Sequence, residues 1–246
     1  MIYYKETDST NLRAIEAAKA GAPHGEIFVA DLQRAGRGRR GRTWESPAGA
    51  NVYMTMLLRP EFAPEKAPML TLIMAMSVAE AIQKVTGIST GIKWPNDLVL
   101  SGRKVCGILT EMSVQAGTIE HVVIGVGINV NEQEFPPELQ ETATFLSSET
   151  KEMIERTTLI SAIEEEFWKY YHKFEETNDL IAFLPIYNER LVNYGREVRV
   201  LEPGNEYEAV AEGINKHGEL LVRMPDGEMR SVFAGEVSVR GIYGYV

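Results

Sequence analysis

The sequence predicts an α+β protein: a mixed, largely antiparallel β-sheet domain with flanking helices, followed by a small C-terminal β-barrel of the SH3-like kind. Three observations carry this. Four β-like runs between residues 91 and 131 are joined by separators of two to four residues. Links that short suit antiparallel neighbours, because a parallel crossover needs a dozen residues or more. Two long segments, 64–87 and 157–176, repeat apolar residues at helical spacing. The tail then turns into short alternating runs divided by glycine-containing turns, the texture of a small barrel. The expected units are residues 1–192 and 193–246.

The elements follow in order. Asp8 or Ser9 can cap a short helix over NLRAIEAAKAGAP, with Leu12, Ile15 and Ala18 on one face and Gly21 and Pro23 ending it. EIFVADL (26–32) and NVYMTMLL (51–58) read as strands. Between Pro64 and Gly87, Leu70, Ile73, Met74, Val78, Ala81, Ile82 and Val85 mark a helix whose first half is apolar on nearly every side, so it should be central and buried. Its apolar stretch around Met69–Met76 is far short of a membrane span. Strands are expected at 91–94, 97–100, 104–114 and 119–131. A second helix over 157–176 turns Leu159, Ile160, Ile163, Phe167, Tyr170, Tyr171 and Phe174 inward. DLIAFLPIYNERL (179–191) should continue as helix, with Pro185 in its middle. From Gly195 the runs REVRVL, EYEAVAEGIN, ELLVRM and MRSVFAG are strands of the tail.

The chain has 246 residues and a formal net charge of -10. Residues 31–42 hold five arginines and one aspartate, so the rest of the chain carries -14. An acidic body is a poor general partner for nucleic acid, whose phosphates dominate affinity. The single cysteine, Cys106, excludes an internal disulfide and suits a reducing compartment; it reads as a small strand residue rather than a nucleophile. His24, His121, His172 and His217 show no metal-ligand spacing and read as surface or core residues. The N-terminus has no basic head followed by an apolar run. These features lead us to expect a soluble cytoplasmic protein with no nucleic-acid or membrane partner.

The segment QRAGRGRRGRTW (33–44) concentrates the positive charge, and its Gly36–Gly41 stretch satisfies the letters G-x-G-x-x-G. A dinucleotide turn must open a helix, whose N-terminus receives the pyrophosphate. Here RTWESPAGANVYMTMLL follows, with no helix start, so that reading fails on context. A nucleic-acid arm would sit at a terminus or beside further basic or aromatic platforms. A solvated surface loop remains the bland alternative. Against it, Gly36, Gly38 and Gly41 let the backbone bend and approach a ligand, and guanidinium forks match carboxylate and phosphate. An arginine loop that closes over such an anion is the better reading.

In KWPNDLVLSGRKVCGIL (93–109), Pro95 and Asn96 make a turn that exposes Asp97, and Ser101–Gly102 bring Lys104 onto the next strand. Asp97 and Lys104 should lie near the same end of a hairpin. Taken alone, this could be a surface ion pair of little energetic weight.

Five pieces in order, DSTN (8–11), QRAGRGRRGRTW (33–44), KWPNDL (93–98), RKVCGIL (103–109) and GVGINVN (125–131), make the chain resemble biotin–protein ligases. FAGEVSVR (233–240) is similar to the end of that family's small C-terminal domain, so the resemblance spans essentially the whole chain. Many bacterial members begin with a winged-helix repressor domain. This sequence starts just before DSTN, so it looks like the enzyme-only class. The resemblance implies attachment of biotin to a specific lysine of a biotin carboxyl carrier protein through biotinyl-5'-AMP, with biotin and MgATP as substrates and a homodimer as one candidate assembly. It implies that Ser9, Thr10, Asn11, Gln33, Gly36, Arg37, Gly38, Arg39, Lys104 and Gly107 surround biotin. Arg37, Arg39, Arg42, Trp44, Asn129 and Lys104 would meet the nucleotide. Lys104, Arg39 and Asp97 would act in the chemistry, Asp97 by orienting or deprotonating the incoming lysine or by helping to hold Mg²⁺. Apart from the resemblance, Arg196 and Glu236 sit near the start and end of the tail, where the chain should return toward the catalytic domain. The nearest alternative is a lipoate- or octanoate-protein ligase of related fold; a biotin-responsive binding protein is a second.

Overall fold

The computed structural model describes residues 1–202, 204–235 and 238–241, Ser238 by its backbone alone. Glu236 therefore lies outside the described residues. The larger sheet contains β1 (Ile2–Tyr4), β2 (Ile27–Ala30), β3 (Val52–Leu58), β4 (Gly91–Lys93), β5 (Asp97–Leu100), β6 (Arg103–Gln115) and β7 (Thr118–Ile128). Their order is β1-β2-β3-β7-β6-β5-β4. β1 runs parallel to β2 and every other pairing is antiparallel, so the sheet is mixed in the way expected. β4 to β7 lie side by side in chain order, as their short separators require. β1 is an element the sequence reading missed: three residues at a sheet edge are too few to show alternation.

The pleat sends alternate residues to opposite faces. Ile27, Val29, Met54, Met56, Ile124 and Val126 join the main hydrophobic core, which α2 (Met69–Thr86) covers. α4 (Arg156–Thr177) packs against the outer side of α2, which explains why α2 is apolar nearly all round. Together with the preceding turn, the segment Pro64–Thr86 has 23 residues and is long and apolar enough to cross a membrane by composition. This corrects the expectation of a much shorter apolar stretch. In the fold it is a core helix between the sheet and α4. On the opposite face Phe28, Leu57 and Val123 meet Ala14 and Ala18 of α1 (Thr10–Lys19). α1 covers only part of that face, and the uncovered part becomes the candidate site.

Two helical details differ from expectation. Ser9 occupies the N-cap of α1, yet its side chain makes no capping bond, and Asp8 is engaged by Arg13 at 2.7 Å instead. The segment 179–191 is not one helix: α4 ends at left-handed Asn178, and α5 (Leu184–Arg190) starts afresh with Pro185 in its first turn. That is where proline needs no N–H partner. α3 (Ser147–Thr150) is a single turn.

The tail forms a second, antiparallel sheet from β8 (Glu197–Glu202), β9 (Asn205–Ile214), β10 (Leu220–Arg223), β11 (Met229–Val232) and β12 (Ser238–Gly241). The order is β11-β10-β9-β8-β12. It packs on the first unit through one continuous apolar cluster, to which Val198, Ala211, Leu220 and Val222 contribute. Arg196, near which the chain was expected to return toward the catalytic domain, is exposed at the head of β8, where its backbone pairs with Ala211. The turn after β9 is pressed closest: a Cβ on Gly218 (φ +78°) would stand 3.1 Å from Leu72 and 3.2 Å from Leu180. The Gly218 carbonyl accepts the buried Trp94 indole N–H at 2.9 Å.

Trp94→Phe keeps the ring and strands that carbonyl in the core. We expect it to lower stability by about 1–3 kcal/mol, the cost of a buried acceptor without its donor. Urea unfolding at unchanged m-value would measure the loss.

Candidate active site

On the face that α1 leaves uncovered, the cross-strand register aligns Thr55 with Gly125, Leu109 with Gly125, and Gly107 with Gly127. Three glycines on one face leave a hollow. Two side chains descend into it from outside the sheet. A Cβ on Gly125 would stand 2.1 Å from Asn11 Oδ1. A Cβ on Gly127 would meet Trp44 Cε2 at 2.5 Å, and one on Gly107 would meet Trp44 Cζ3 at 2.8 Å. Glycine is needed here for close approach, not for turning.

Around Asn11 lies a dense polar network. Its amide donates to Glu111 Oε2 at 2.9 Å, and its carbonyl oxygen accepts from the Thr55 hydroxyl at 2.7 Å. The Thr10 backbone N–H and hydroxyl both donate to Gln33 Oε1, at 2.9 and 3.1 Å, while Gln33 Nε2 donates to Ser46 Oγ at 3.0 Å. Arg37 closes the edge by pairing with Glu111 at 2.9 Å. Ser9, Thr10, Asn11, Gln33, Arg37, Gly38, Arg39, Lys104 and Gly107 thus border one small polar pocket of about 50 Å³. Trp44 forms its lid toward a larger cavity of about 750 Å³. The Trp44 Nε1 donor is buried with no hydrogen-bond partner among the described residues, a costly arrangement unless an acceptor arrives.

The arginine loop is a folded excursion rather than a helix-opening turn, and β3 follows it, which disposes of the dinucleotide reading. Trp44 N–H donates to Gly36 O at 2.9 Å, and Gly38 N–H to Arg42 O at 2.7 Å. Gly36 is buried where a Cβ would stand 2.3 Å from Trp44 O. Arg39 borders both cavities while its guanidinium is held by the hairpin turn and the tail. It donates to Asn96 Oδ1 at 2.9 Å and to the carbonyls of Ala234 and Gly235 at 2.7 and 2.8 Å. A loop residue thereby ties the large sheet to the tail. Arg42 lies on the wall of the larger cavity with Asn129 and Arg240.

The hairpin β5–β6 supplies the remaining groups. Lys104 Nζ lies 2.7 Å from Asp97 Oδ1 and 5.2 Å from the Trp44 ring centroid. Simple alternation would send Lys104 and Gly107, three residues apart, to opposite faces. A bulge between Leu98 and Val99 of the pairing removes the conflict: Gly107 opposes Asp97, Lys104 opposes Val99, and both face the site. Val105 and Cys106 remain in the core, and burial pushes the Cys106 thiol well above its usual range. That suits an unreactive strand residue. Asn96 donates to Asp97 Oδ1 at 3.0 Å and to Ile108 O at 3.1 Å, fixing the carboxylate. Lys93, opposite Asp97 in the register, is only 5% exposed. Burial pushes it down to about 8; Asp97 opposes that shift, and Lys104, Arg240 and Arg42 add to it. Among the described residues no three His, Cys, Asp or Glu side chains cluster to hold a metal.

Comparison with known proteins bears on this architecture directly. The model of the biotin/lipoate A/B protein ligase family matches residues 3–129, and that of the biotin protein ligase C terminal domain matches residues 194–240. The bifunctional ligase/repressor BirA of Bacillus subtilis is 36% identical over 241 residues, covering 97% of this chain and 74% of that protein. The chain belongs to the biotin/lipoate A/B protein ligase family. The biotin--[acetyl-CoA-carboxylase] ligase of Paracoccus denitrificans is 32% identical, covering 90% of this chain and 93% of its own. In structure, the biotin protein ligase from Aquifex aeolicus in complex with biotin and ATP superposes with a TM-score of 0.86 at 30% identity, covering 98% of both chains.

Within this family member, four groups at the site escaped the sequence reading: Thr55, Glu111, Asn96 and Lys93. Each carried a weak signal. Thr55 is the one aliphatic hydroxyl in the run VYMTMLL, and Glu111 is the one acidic residue of β6.

Gly127→Ala should force the Trp44 indole off its floor, at an overpacking cost of about 1–3 kcal/mol. Tryptophan emission should shift, and the shift should vanish when the same change is made in a Trp44→Phe background. An unaltered spectrum would mean that Trp44 does not rest on Gly127.

Proposed function

We propose that this protein activates biotin with ATP to biotinyl-5'-AMP and transfers the biotinyl group to a lysine of a biotin carboxyl carrier domain. The observation that carries this reading is the meeting of a small polar pocket and a large cation-walled cavity at Lys104, Arg39 and Trp44. A bicyclic ureido head has N–H donors and a carbonyl acceptor, and Ser9, Thr10, Asn11 and Gln33 offer the complementary groups. Gly38 and Gly107 line the pocket and let backbone and ligand approach, whereas Gly36 admits the Trp44 carbonyl and so shapes the loop. The biotin carboxylate then points toward Lys104, and the nucleotide occupies the cavity bordered by Arg42, Trp44 and Asn129. We assign residues 1–192 to this chemistry and 193–246 to a C-terminal unit of SH3-like kind.

In the first step a carboxylate oxygen bonds to the α-phosphorus, the bond to the bridging oxygen breaks, and pyrophosphate leaves. Two anions must meet, and Lys104, Arg37 and Arg39 lower that repulsion with fixed charge. In the second step the carrier lysine's amine attacks the acyl carbon, AMP leaves, and the amine loses a proton. Asp97 is suited to orient that amine or accept its proton. Its carboxylate already faces Lys104 and Asn96, so the contacts fit an ammonium better than a metal cage. Magnesium would enter on the phosphates of ATP. A lipoate or octanoate ligase would need a long apolar channel, and the polar pocket floored by Gly125 and edged by Arg37 and Glu111 favours biotin. Cytoplasmic location fits the lone buried thiol.

Biotin, MgATP and a purified carrier domain should give a carrier heavier by one biotinyl group, whereas lipoate in place of biotin should not. Lys104→Gln keeps length and a donor but loses charge, so pyrophosphate release should fall about 10²-fold. Near-normal release would exclude an electrostatic role. Arg39→Ala should slow adenylation by the equivalent of about 1.5–3 kcal/mol. A chain ending at Asn193 should lose both half-reactions and stability together, because it removes the Ala234 and Gly235 carbonyls and the cover of Trp94. Full activity of that shortened chain would make the tail a bystander.

A further inference from the structure

Glu111 does not border the small polar pocket, yet it holds two residues that do, Asn11 and Arg37. It stands on β6 opposite Val123 of β7, and Val123 packs on α1, so the carboxylate rises on the face that α1 only partly covers. Each oxygen has its own partner. Oε1 lies 2.9 Å from Arg37 Nη2, and Oε2 accepts from Asn11 Nδ2 at 2.9 Å. One acid thereby joins the start of α1 to the arginine loop.

These contacts decide which way the Asn11 amide faces. One end of that amide touches Glu111 Oε2 and the Leu109 carbonyl, at 2.9 and 3.3 Å. Both neighbours only accept hydrogen bonds, so that end must be the NH₂ group, and its two hydrogens are both used. The other end is the carbonyl oxygen, which receives the Thr55 hydroxyl at 2.7 Å. A hydroxyl brings one hydrogen and an amide oxygen has two lone pairs, so one acceptor site is left. That oxygen stands over Gly125, where a Cβ would lie only 2.1 Å from it, and Gly125 borders the pocket. Turned over, the amide would set its oxygen against two acceptors, a costly arrangement for a side chain that is 4% exposed.

We propose that Glu111 is a positioning residue for ligand recognition. Held by Arg37, it locks the Asn11 amide with its oxygen toward the pocket, and the pocket therefore selects a ligand that offers an N–H at that point. A ureido nitrogen has that hydrogen. A ring oxygen has none and would meet the Asn11 oxygen lone pair against lone pair. The inference rests on the biotin reading and names the device that chooses the ureido head.

The test uses the full chain. Glu111→Gln should weaken biotin about 10- to 50-fold in calorimetry, because a glutamine amide can donate to a turned-over Asn11 oxygen and no longer fixes it. At saturating biotin, kcat for pyrophosphate release should return to within about threefold of wild type, since the lost binding is shared by ground and transition states. In an Asn11→Ala background the same substitution should change biotin affinity by less than about threefold, because Glu111 acts through Asn11. A further probe works on the wild-type protein and stands even if the glutamine variant fails to fold: the two cyclic carbamate analogues of biotin, each with one ureido N–H replaced by oxygen. At least one should bind about 10-fold or more weakly than biotin. Full biotin affinity in Glu111→Gln, an equal loss in the Asn11→Ala background, a loss confined to kcat, or wild-type binding of both carbamates as tight as that of biotin would each overturn the proposal. A wild-type protein that binds no biotin would instead overturn the ligase reading itself.

Discussion

An antiparallel sheet sets residues of neighbouring strands face to face, and at Gly107–Gly127 that pairing leaves neither strand with a side chain. Much of the candidate site depends on this vacancy in the sheet surface. With Gly125 it makes a depression in a layer that is otherwise close-packed, and packing tolerates such a depression only if something fills it. Asn11, from the start of α1, and Trp44, from the arginine loop, do so. The two segments thereby acquire fixed positions relative to Lys104 on the same strand as Gly107. α2 covers much of the other face and α1 part of this one, and the glycine hollow between α1 and the arginine loop is a place where a ligand can reach the sheet.

Charge is arranged around that hollow against the trend of the molecule. The body is acidic, yet Arg37, Arg39, Arg42, Lys93, Lys104 and Arg240 border the two adjoining cavities. The acids placed among them are specific. Glu111 anchors Arg37 and Asn11, and Asp97 anchors Lys104. Each such pair holds a cation in one geometry, which matters more for a site than the modest stability of an exposed pair. The tail enters the same economy through Arg39, whose guanidinium donates to Asn96 on one side and to the Ala234 and Gly235 carbonyls on the other. The arginine loop is consequently held by both units.

Many features of the chain are local and were therefore legible from residues alone. The short links at 95–96, 101–102 and 116–117 leave the four strands from β4 to β7 little choice but antiparallel order. The apolar surround of α2 announced burial on both sides, and the residues after Gly41 ruled out a helix-opening turn. The motif residues Ser9, Thr10, Asn11, Gln33, Arg37 and Lys104 were recognisable because their types and order are unusual. Edges and breaks were harder to read: β1 is too short to show a period, and the break near Asn178 depends on a left-handed residue that any asparagine could supply.

What the sequence determined by itself was the set of elements, their antiparallel neighbours, and a local concentration of arginine and glycine suited to anions. Tertiary structure alone decided which residues share a face. Period-two counting puts Lys104 and Gly107 on opposite sides of β6, and only the bulge against Leu98 and Val99 brings them together beside Asp97. Thr55 and Glu111 likewise join Asn11 because strands distant in sequence are aligned in register, 44 and 100 residues away. Arg39 meets Gly235 across 196 residues. Such partners cannot be read from local pattern, because the pairing of strands and the seating of the tail are fixed by burial of the whole core rather than by any segment within it.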